Sequence, residues 1–333
     1  MTPDVDDPAG FRSRTEVLNG MRWHVVDEGA QGPPGSRPLL ILLHGFPYTG
    51  YGWRKVIRPL AAAGYRVAVP DQRGFGGSSL PSAVEDYNIR TMAADVVGLA
   101  KALGYEEFNL IGHDWGCIIA WNTALLHEDT CRSVMGLSVP FWRAGKATLD
   151  PPGLDDRFWY IRYFQTPGVV EAELEADVRE SLRRAYCGLS ADAPPLQWLR
   201  QLEHPRSAKL LDVLPAVPTL PAWLSEADLD YYVAQYQRSG FRGPCNLYRN
   251  LPTMNALTPE LEGKQFSQPA AFVAGRQDPV LHYDAKWESW FPQSFKDLRF
   301  MSFIEGAGHW LQQEQPAATT AQMLRFLHEV EPR

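Results

Sequence analysis

The sequence contains no G-x-S-x-G pentapeptide, no H-E-x-x-H, no C-x-x-C pair and no apolar run near the roughly 20 residues that span a bilayer. The first absence removes serine from the strand-turn-helix corner where many hydrolases carry their nucleophile. The second and third remove a helical zinc-protease site, thiolate zinc sites and a dithiol redox pair. Positive charge is scarce too: 32 Lys and Arg face 39 Asp and Glu, a net charge of −7. That balance argues against nucleic acid or an anionic membrane as partner. His24, His127, His204, His282 and His328 show no metal-ligand spacing, so neither metal nor cofactor is expected. Cys117, Cys131, Cys187 and Cys245 are widely spaced and read as free thiols in a reducing compartment. The opening MTPDVDDPAG is acidic and lacks the parts of a signal peptide, so the cytoplasm is the expected location.

What is present is a chain of 333 residues, 45% hydrophobic, ample for a large core. MRWHVVDEG reads as an early strand and QGPPGSRP as a turn-rich connection. Continuous apolar runs at 39–45, 65–71, 108–112, 133–139, 270–275 and, more weakly, 298–306 predict strands buried on both faces. Helical patterns fall between them: Ile89, Met92, Ala93, Val96, Ala100 and Leu103 form one stripe ending at Gly104. The alternation predicts an α/β fold with a mostly parallel central sheet and helices on both faces. It stops near Pro140. Residues 141–250 are helical in flavour, aromatic and punctuated by proline, and strand-type runs return only around 270. The expected organisation is a core in two parts, 1–140 and 251–333, with an inserted helical cap at 141–250.

The stretch FNLIGHDWGCIIAW runs from strand to helix through Gly112-His113-Asp114-Trp115-Gly116. Glycines two residues before and after Asp114 match the tight nucleophile elbow, with a carboxylate where serine usually stands. The plainer reading makes Asp114 an N-cap. Further motifs weigh against that reading. HGFP (44–47) closes a strand, and the N–H groups of Phe46 and Trp115 would form an oxyanion hole; Pro47 is a candidate cis residue. DQRGFGGS (71–78) ends the next strand in flexible turn positions. GRQDPVL places Asp278, and GAGHWLQQE places His309, each just past a strand. Nucleophile, acid and histidine thus follow the chain order of α/β-hydrolases. His113 is a spacer without a catalytic role.

With these motifs the chain resembles the soluble α/β-hydrolase-fold epoxide hydrolases over nearly its whole length from about residue 20. HGFP, DQRGFG, GHDWG and GHW-QQE are common to that group and partly to dehalogenases. FWYIRYFQTPGVVEAELE and SGFRGPCNLYRN resemble its two lid-tyrosine segments, which implies that role for Tyr160 and Tyr248. Leu247 stands where many members carry Trp, and LPTMNALTPE lacks an aromatic often found there; both bear on pocket shape. Phe46, Trp115, Trp159, Phe164 and Leu247 are the candidate substrate contacts. Phe141, Trp142, Trp198 and Trp223 join Trp159 and Phe164 as pocket roof or lid core.

The resemblance implies a small apolar epoxide as substrate, a monomer or homodimer as the assembly, and a role for the carboxylate that chemistry explains. Opening an epoxide is displacement at a saturated carbon. A carboxylate is already ionised at neutral pH and needs no base for this step. The ester it forms can be hydrolysed, whereas a serine would leave an inert ether. Dehalogenases use the same Asp-His-Asp plan. Haloalkane dehalogenases typically place Asn where Phe46 stands, and haloacetate dehalogenases require cationic clamps absent from GHDWG. A non-catalytic ligand-binding protein on this fold is the remaining alternative.

Overall fold

The computed structural model describes residues 9–31, 35–143, 149–194 and 197–331. The acidic stretch at 1–8 and residues 32–34 of the turn-rich connection lie outside the described residues. One eight-stranded sheet organises the molecule: β1 (Ser13–Leu18), β2 (Met21–Glu28), β3 (Leu39–Leu43), β4 (Arg66–Pro70), β5 (Phe108–His113), β6 (Cys131–Leu137), β7 (Ala270–Gly275) and β8 (Leu298–Ile304). Their order is β1-β2-β4-β3-β5-β6-β7-β8. β1 and β2 pair antiparallel, as do β2 and β4, and the other pairs are parallel. Every residue of β3, β4, β5 and β7 is buried, which accounts for unbroken apolar runs in place of alternation.

β1 is an addition to the expected strands. Most of its residues face solvent, so it carries little apolar signal. Its link to β2 is Asn19-Gly20 with φ of 49° and 73°, the two left-handed positions of a tight hairpin.

Helices α1 (Arg54–Ala62), α2 (Ile89–Ala102) and α3 (Trp115–Leu126) cover the sheet. The expected stripe is the buried face of α2, and Asn88 caps it by accepting the Thr91 N–H at 3.0 Å. Buried Asp95 on that face receives two hydrogen bonds from Arg73, at 2.8 and 3.0 Å, pinning the 71–78 loop.

Between β6 and β7 the described chain forms helices: α4 (Tyr160–Tyr163), α5 (Val169–Ala176), α6 (Val178–Gly188), α7 (Leu210–Val213), α8 (Glu226–Ser239) and α9 (Arg242–Arg249). α8 starts in a reciprocal cap, with Ser225 Oγ accepting the Asp228 N–H at 3.1 Å and Asp228 Oδ2 accepting the Ser225 N–H at 3.0 Å. The same Asp228 meets Arg54 at 2.9 Å and the Tyr51 hydroxyl at 2.8 Å, tying α8 to the segment that follows HGFP. Arg249 is buried against Glu171 at 2.7 Å and donates to the Phe164 carbonyl at 3.1 Å. Those bonds fix α9, which carries Tyr248, to the stretch that carries Tyr160.

Candidate active site

Asp114 sits between β5 and α3 with φ 55° and ψ −122°, a conformation that L-residues rarely adopt. The flanking glycines make it possible. A methyl group on Gly112 would lie 2.1 Å from the Gly116 carbonyl oxygen, and one on Gly116 would lie 2.1 Å from that of Leu43. The N-cap reading fails: the Asp114 side chain makes no capping bond to α3. Its Oδ1 instead accepts the Phe46 N–H at 2.7 Å. A methyl group on Gly45 would meet both Asp114 Oδ1 and the Trp115 nitrogen, at 2.1 and 2.6 Å, so these atoms crowd one small space. The α3 N-terminus adds a favourable field for a negative charge there.

The HGFP turn is held in place from the side. The Gln72 N–H donates to His44 Nε2 at 3.0 Å, and the Gln72 carboxamide donates to the His44 carbonyl. The Phe46–Pro47 bond is cis.

Asp278 follows β7 and is wholly buried. Its carboxylate oxygens lie 3.1 and 3.0 Å from His309 Nδ1, and His309 Nε2 lies 3.4 Å from Asp114 Oδ2. Burial by itself would lower the His309 pKa. The Asp278 charge and the hydrogen bonds with Asp114 and Asp278 outweigh it and raise the value to about 10. His309 therefore rests as an imidazolium between two carboxylates. The His309 carbonyl accepts from Ser138 Oγ at 3.0 Å and from His113 Nε2 at 2.7 Å. Burial, then the neighbouring His309 charge, lowers the His113 pKa to about 4, so this ring is a neutral donor that positions its neighbour.

Glu314 organises the loop that carries His309. Its carboxylate accepts the N–H groups of Ala191 at 2.8 Å, Trp310 at 2.9 Å and Gly308 at 3.1 Å, and Ser190 Oγ at 3.1 Å. Glu314→Ala leaves these donors unmatched, and an expected loss of about 3 kcal/mol or more should appear as a lowered midpoint in urea or heat unfolding. An unchanged midpoint would mean that water replaces the carboxylate at no cost.

Two cavities meet at Asp114. One of about 260 Å³ is lined by Trp115, Trp142, Trp159, Tyr283, Trp287 and Trp290 among others. The other, of about 60 Å³, is lined by Phe46, Phe164, Trp198 and His309 among others. Asp114, Tyr160, Tyr248 and Val280 line both. The rings of Tyr160 and Tyr248 are 5.9 Å apart at 78°. Burial, then the Asp114 charge, pushes both phenols above their ordinary pKa, so both are protonated donors at neutral pH.

Four of the five expected substrate contacts therefore reach a cavity. Leu247 does not. It is buried and lines neither, because successive helical side chains point roughly 100° apart and Tyr248 takes the inward direction. Phe141 packs on Phe266 at 5.0 Å, and the Trp223 indole N–H donates to Ser190 Oγ at 3.0 Å, so both belong to packing. Tyr283, Val280, Trp287 and Trp290 are wall residues outside the sequence expectations; only their place shortly after Asp278 marks them. Among the described residues no cluster of His, Cys, Asp and Glu could hold a metal ion, and no helix is long and apolar enough to cross a membrane. All four cysteines are buried free thiols.

Residues 38–316 match the family described as alpha/beta hydrolase fold. Epoxide hydrolase A of Mycobacterium tuberculosis is 41% identical over 322 residues, covering 95% of this chain and 97% of that protein. The crystal structure of epoxide hydrolase A from Mycobacterium thermoresistibile superposes with a TM-score of 0.87 at 40% identity, covering 97% of this chain and 100% of that one. An epoxide hydrolase from an endophytic Streptomyces gives 0.89 at 38% identity, covering 96% of each chain.

Proposed function

The chain belongs to the epoxide hydrolases of the α/β-hydrolase fold, and on that premise we propose that it opens small apolar epoxides through a covalent ester on Asp114. Asp114 Oδ2 attacks one oxirane carbon, and the carbon–oxygen bond breaks on the far side. Tyr160 and Tyr248 bind the departing oxygen, and one gives it a proton. The Phe46 N–H meanwhile holds Oδ1 and keeps Oδ2 aimed into the cavities.

Ester formation removes the Asp114 charge that helps hold the His309 proton. That proton can then return the phenolate to the phenol, leaving a neutral imidazole backed by Asp278. Neutral His309 takes a proton from water as the water attacks the ester carbonyl, and the oxyanion gathers on the Phe46 and Trp115 N–H groups. Collapse breaks the acyl–oxygen bond, and His309 gives its proton to the departing alkoxide to complete the vicinal diol. The acid left on Asp114 returns a proton to His309, restoring the carboxylate and the imidazolium. We assign residues 141–250 as the cap that delivers the two phenols. The free thiols support a cytoplasmic setting.

The observation that carries this reading is that Asp114, Tyr160 and Tyr248 line the same two cavities. A halide leaves without a proton, whereas an epoxide oxygen stays on the product and must receive one. Tyr160→Phe and Tyr248→Phe should each slow alkylation by roughly 10- to 1000-fold, as loss of one acid or oxyanion donor does. The double variant should lose nearly all ring opening. Pre-steady-state alkylation by styrene oxide measures this. Normal ring opening in the double variant would remove the phenols from the mechanism.

A further inference from the structure

A third phenol stands behind the first. Tyr283 closes the short turn Pro279–Tyr283 after Asp278 and lines the larger cavity beside Tyr160. The two rings are nearly parallel, with centroids 6.2 Å apart and planes 19° apart. The Tyr283 oxygen receives the Trp198 indole N–H and, at 3.0 Å, the Gln201 carboxamide N–H. The orientation of that carboxamide is fixed, because its oxygen accepts the Tyr160 backbone N–H at 3.2 Å. Gln201 is fully buried, so it grips Tyr160 and Tyr283 together.

A phenolic oxygen has two lone pairs and one proton. Trp198 and Gln201 occupy both lone pairs and, through these atoms, offer no acceptor. The Tyr283 proton must find another oxygen, and the phenol stacked alongside it on the same cavity wall is that of Tyr160. With Tyr283 donating, the Tyr160 proton points away from Tyr283 and into the space shared with Asp114.

Building on the proposed ring-opening role of Tyr160, we propose that Tyr283 is a positioning residue for that step: its hydroxyl, held by Trp198 and Gln201, donates to the Tyr160 oxygen, aims the Tyr160 O–H at the oxirane and steadies the charge left on Tyr160. As the oxirane oxygen takes the proton, the Tyr160–oxygen bond becomes charge-assisted and shortens, while Tyr283 keeps its own proton. The supporting donors are in place before the reaction, so little reorganisation accompanies the transfer.

A simple packing tie between the 279–283 turn and the Gln197–Glu203 segment would predict something different. Loss of a tie acts regardless of what stands at position 160. The deciding measurement is a double-mutant cycle on the saturating alkylation rate with styrene oxide in single turnover. Tyr283→Phe should slow alkylation about 10-fold in the otherwise native chain, with little change in half-saturating concentration or in ester hydrolysis. In the Tyr160→Phe background it should slow alkylation less than about 2-fold, since the group it serves is gone. Trp198→Phe removes one donor to Tyr283 and should give a smaller slowing with the same dependence on Tyr160, which covers the case of a poorly folding Tyr283 variant.

Equal slowing in both backgrounds, or no slowing in the native one, would overturn the role of Tyr283. If Tyr160→Phe alone leaves alkylation untouched, the ring-opening assignment itself fails. The two failures are therefore separable.

Discussion

Asp114→Ala should form no measurable diol, a fall on the order of 10⁴- to 10⁶-fold, because the side chain makes the bond to substrate and nothing nearby replaces it. The variant should fold, since what it gives up is the Phe46 N–H bond and the contact with His309 and not a cap of α3. Removing the carboxylate also takes from the His309 imidazolium one of its two negative neighbours, so that ring holds its proton less tightly. A companion measurement tests the bond itself. During a single turnover of the native enzyme in heavy-oxygen water, the oxygen added to the first diol should come unlabelled from Asp114. Label in that diol would show direct attack by water, and would move Asp114 from nucleophile to charge stabiliser.

His309→Ala should have a smaller but still large effect, confined to the second half-reaction. Ring opening uses a carboxylate that is already ionised, whereas ester hydrolysis needs a base, and loss of that base costs about 10²- to 10⁴-fold. Mixed with styrene oxide, the variant should accumulate enzyme plus one substrate by intact mass, with the adduct on the peptide containing Asp114. Failure to accumulate, with substrate still bound, would place His309 in the first step.

The charge state of His309 has its own test. Its pKa is raised from 6.5 in the unfolded chain to about 10, so the ion cluster favours the fold fully below pH 6.5. That contribution fades as pH rises through 10. Asp114→Asn mimics the uncharged ester and should lower the His309 titration seen by NMR, flattening the alkaline end of the stability profile. An unmoved titration would mean that Asp278 alone holds the proton.

The proposed nucleophile, acid and histidine were legible because each stands where an apolar run ends. Asp114 follows β5, Asp278 follows β7 and His309 follows β8, positions that the strand pattern fixes with no knowledge of packing. The inner strands read easily because burial on both faces leaves unbroken Val, Leu, Ile and Ala. β1 is the counter-example: an edge strand facing solvent needs no such run, and only Asn19-Gly20 marks it. The supporting groups were hidden for a different reason. Gln201 serves Tyr160 and Tyr283 from opposite ends of one carboxamide, and Glu314 gathers amides from two distant loops. Such roles depend on which segments meet in space, and neither residue type nor local spacing encodes that. Leu247 shows the converse, where a position beside a functional residue points by helical geometry into packing.

The insertion between β6 and β7 also sets an order of events during synthesis. The chain leaves the sheet at Leu137 and rejoins it at Ala270. At typical elongation rates the ribosome spends on the order of ten seconds between these points. Until β7 emerges, β6 is an open edge whose run from Ser133 to Leu137 is entirely buried in the finished protein. An unpaired apolar strand edge invites pairing with another chain. The nascent polypeptide is therefore most prone to aggregate while its helical segment is being made, and a chaperone that shields that edge would govern yield without touching a single residue of the site.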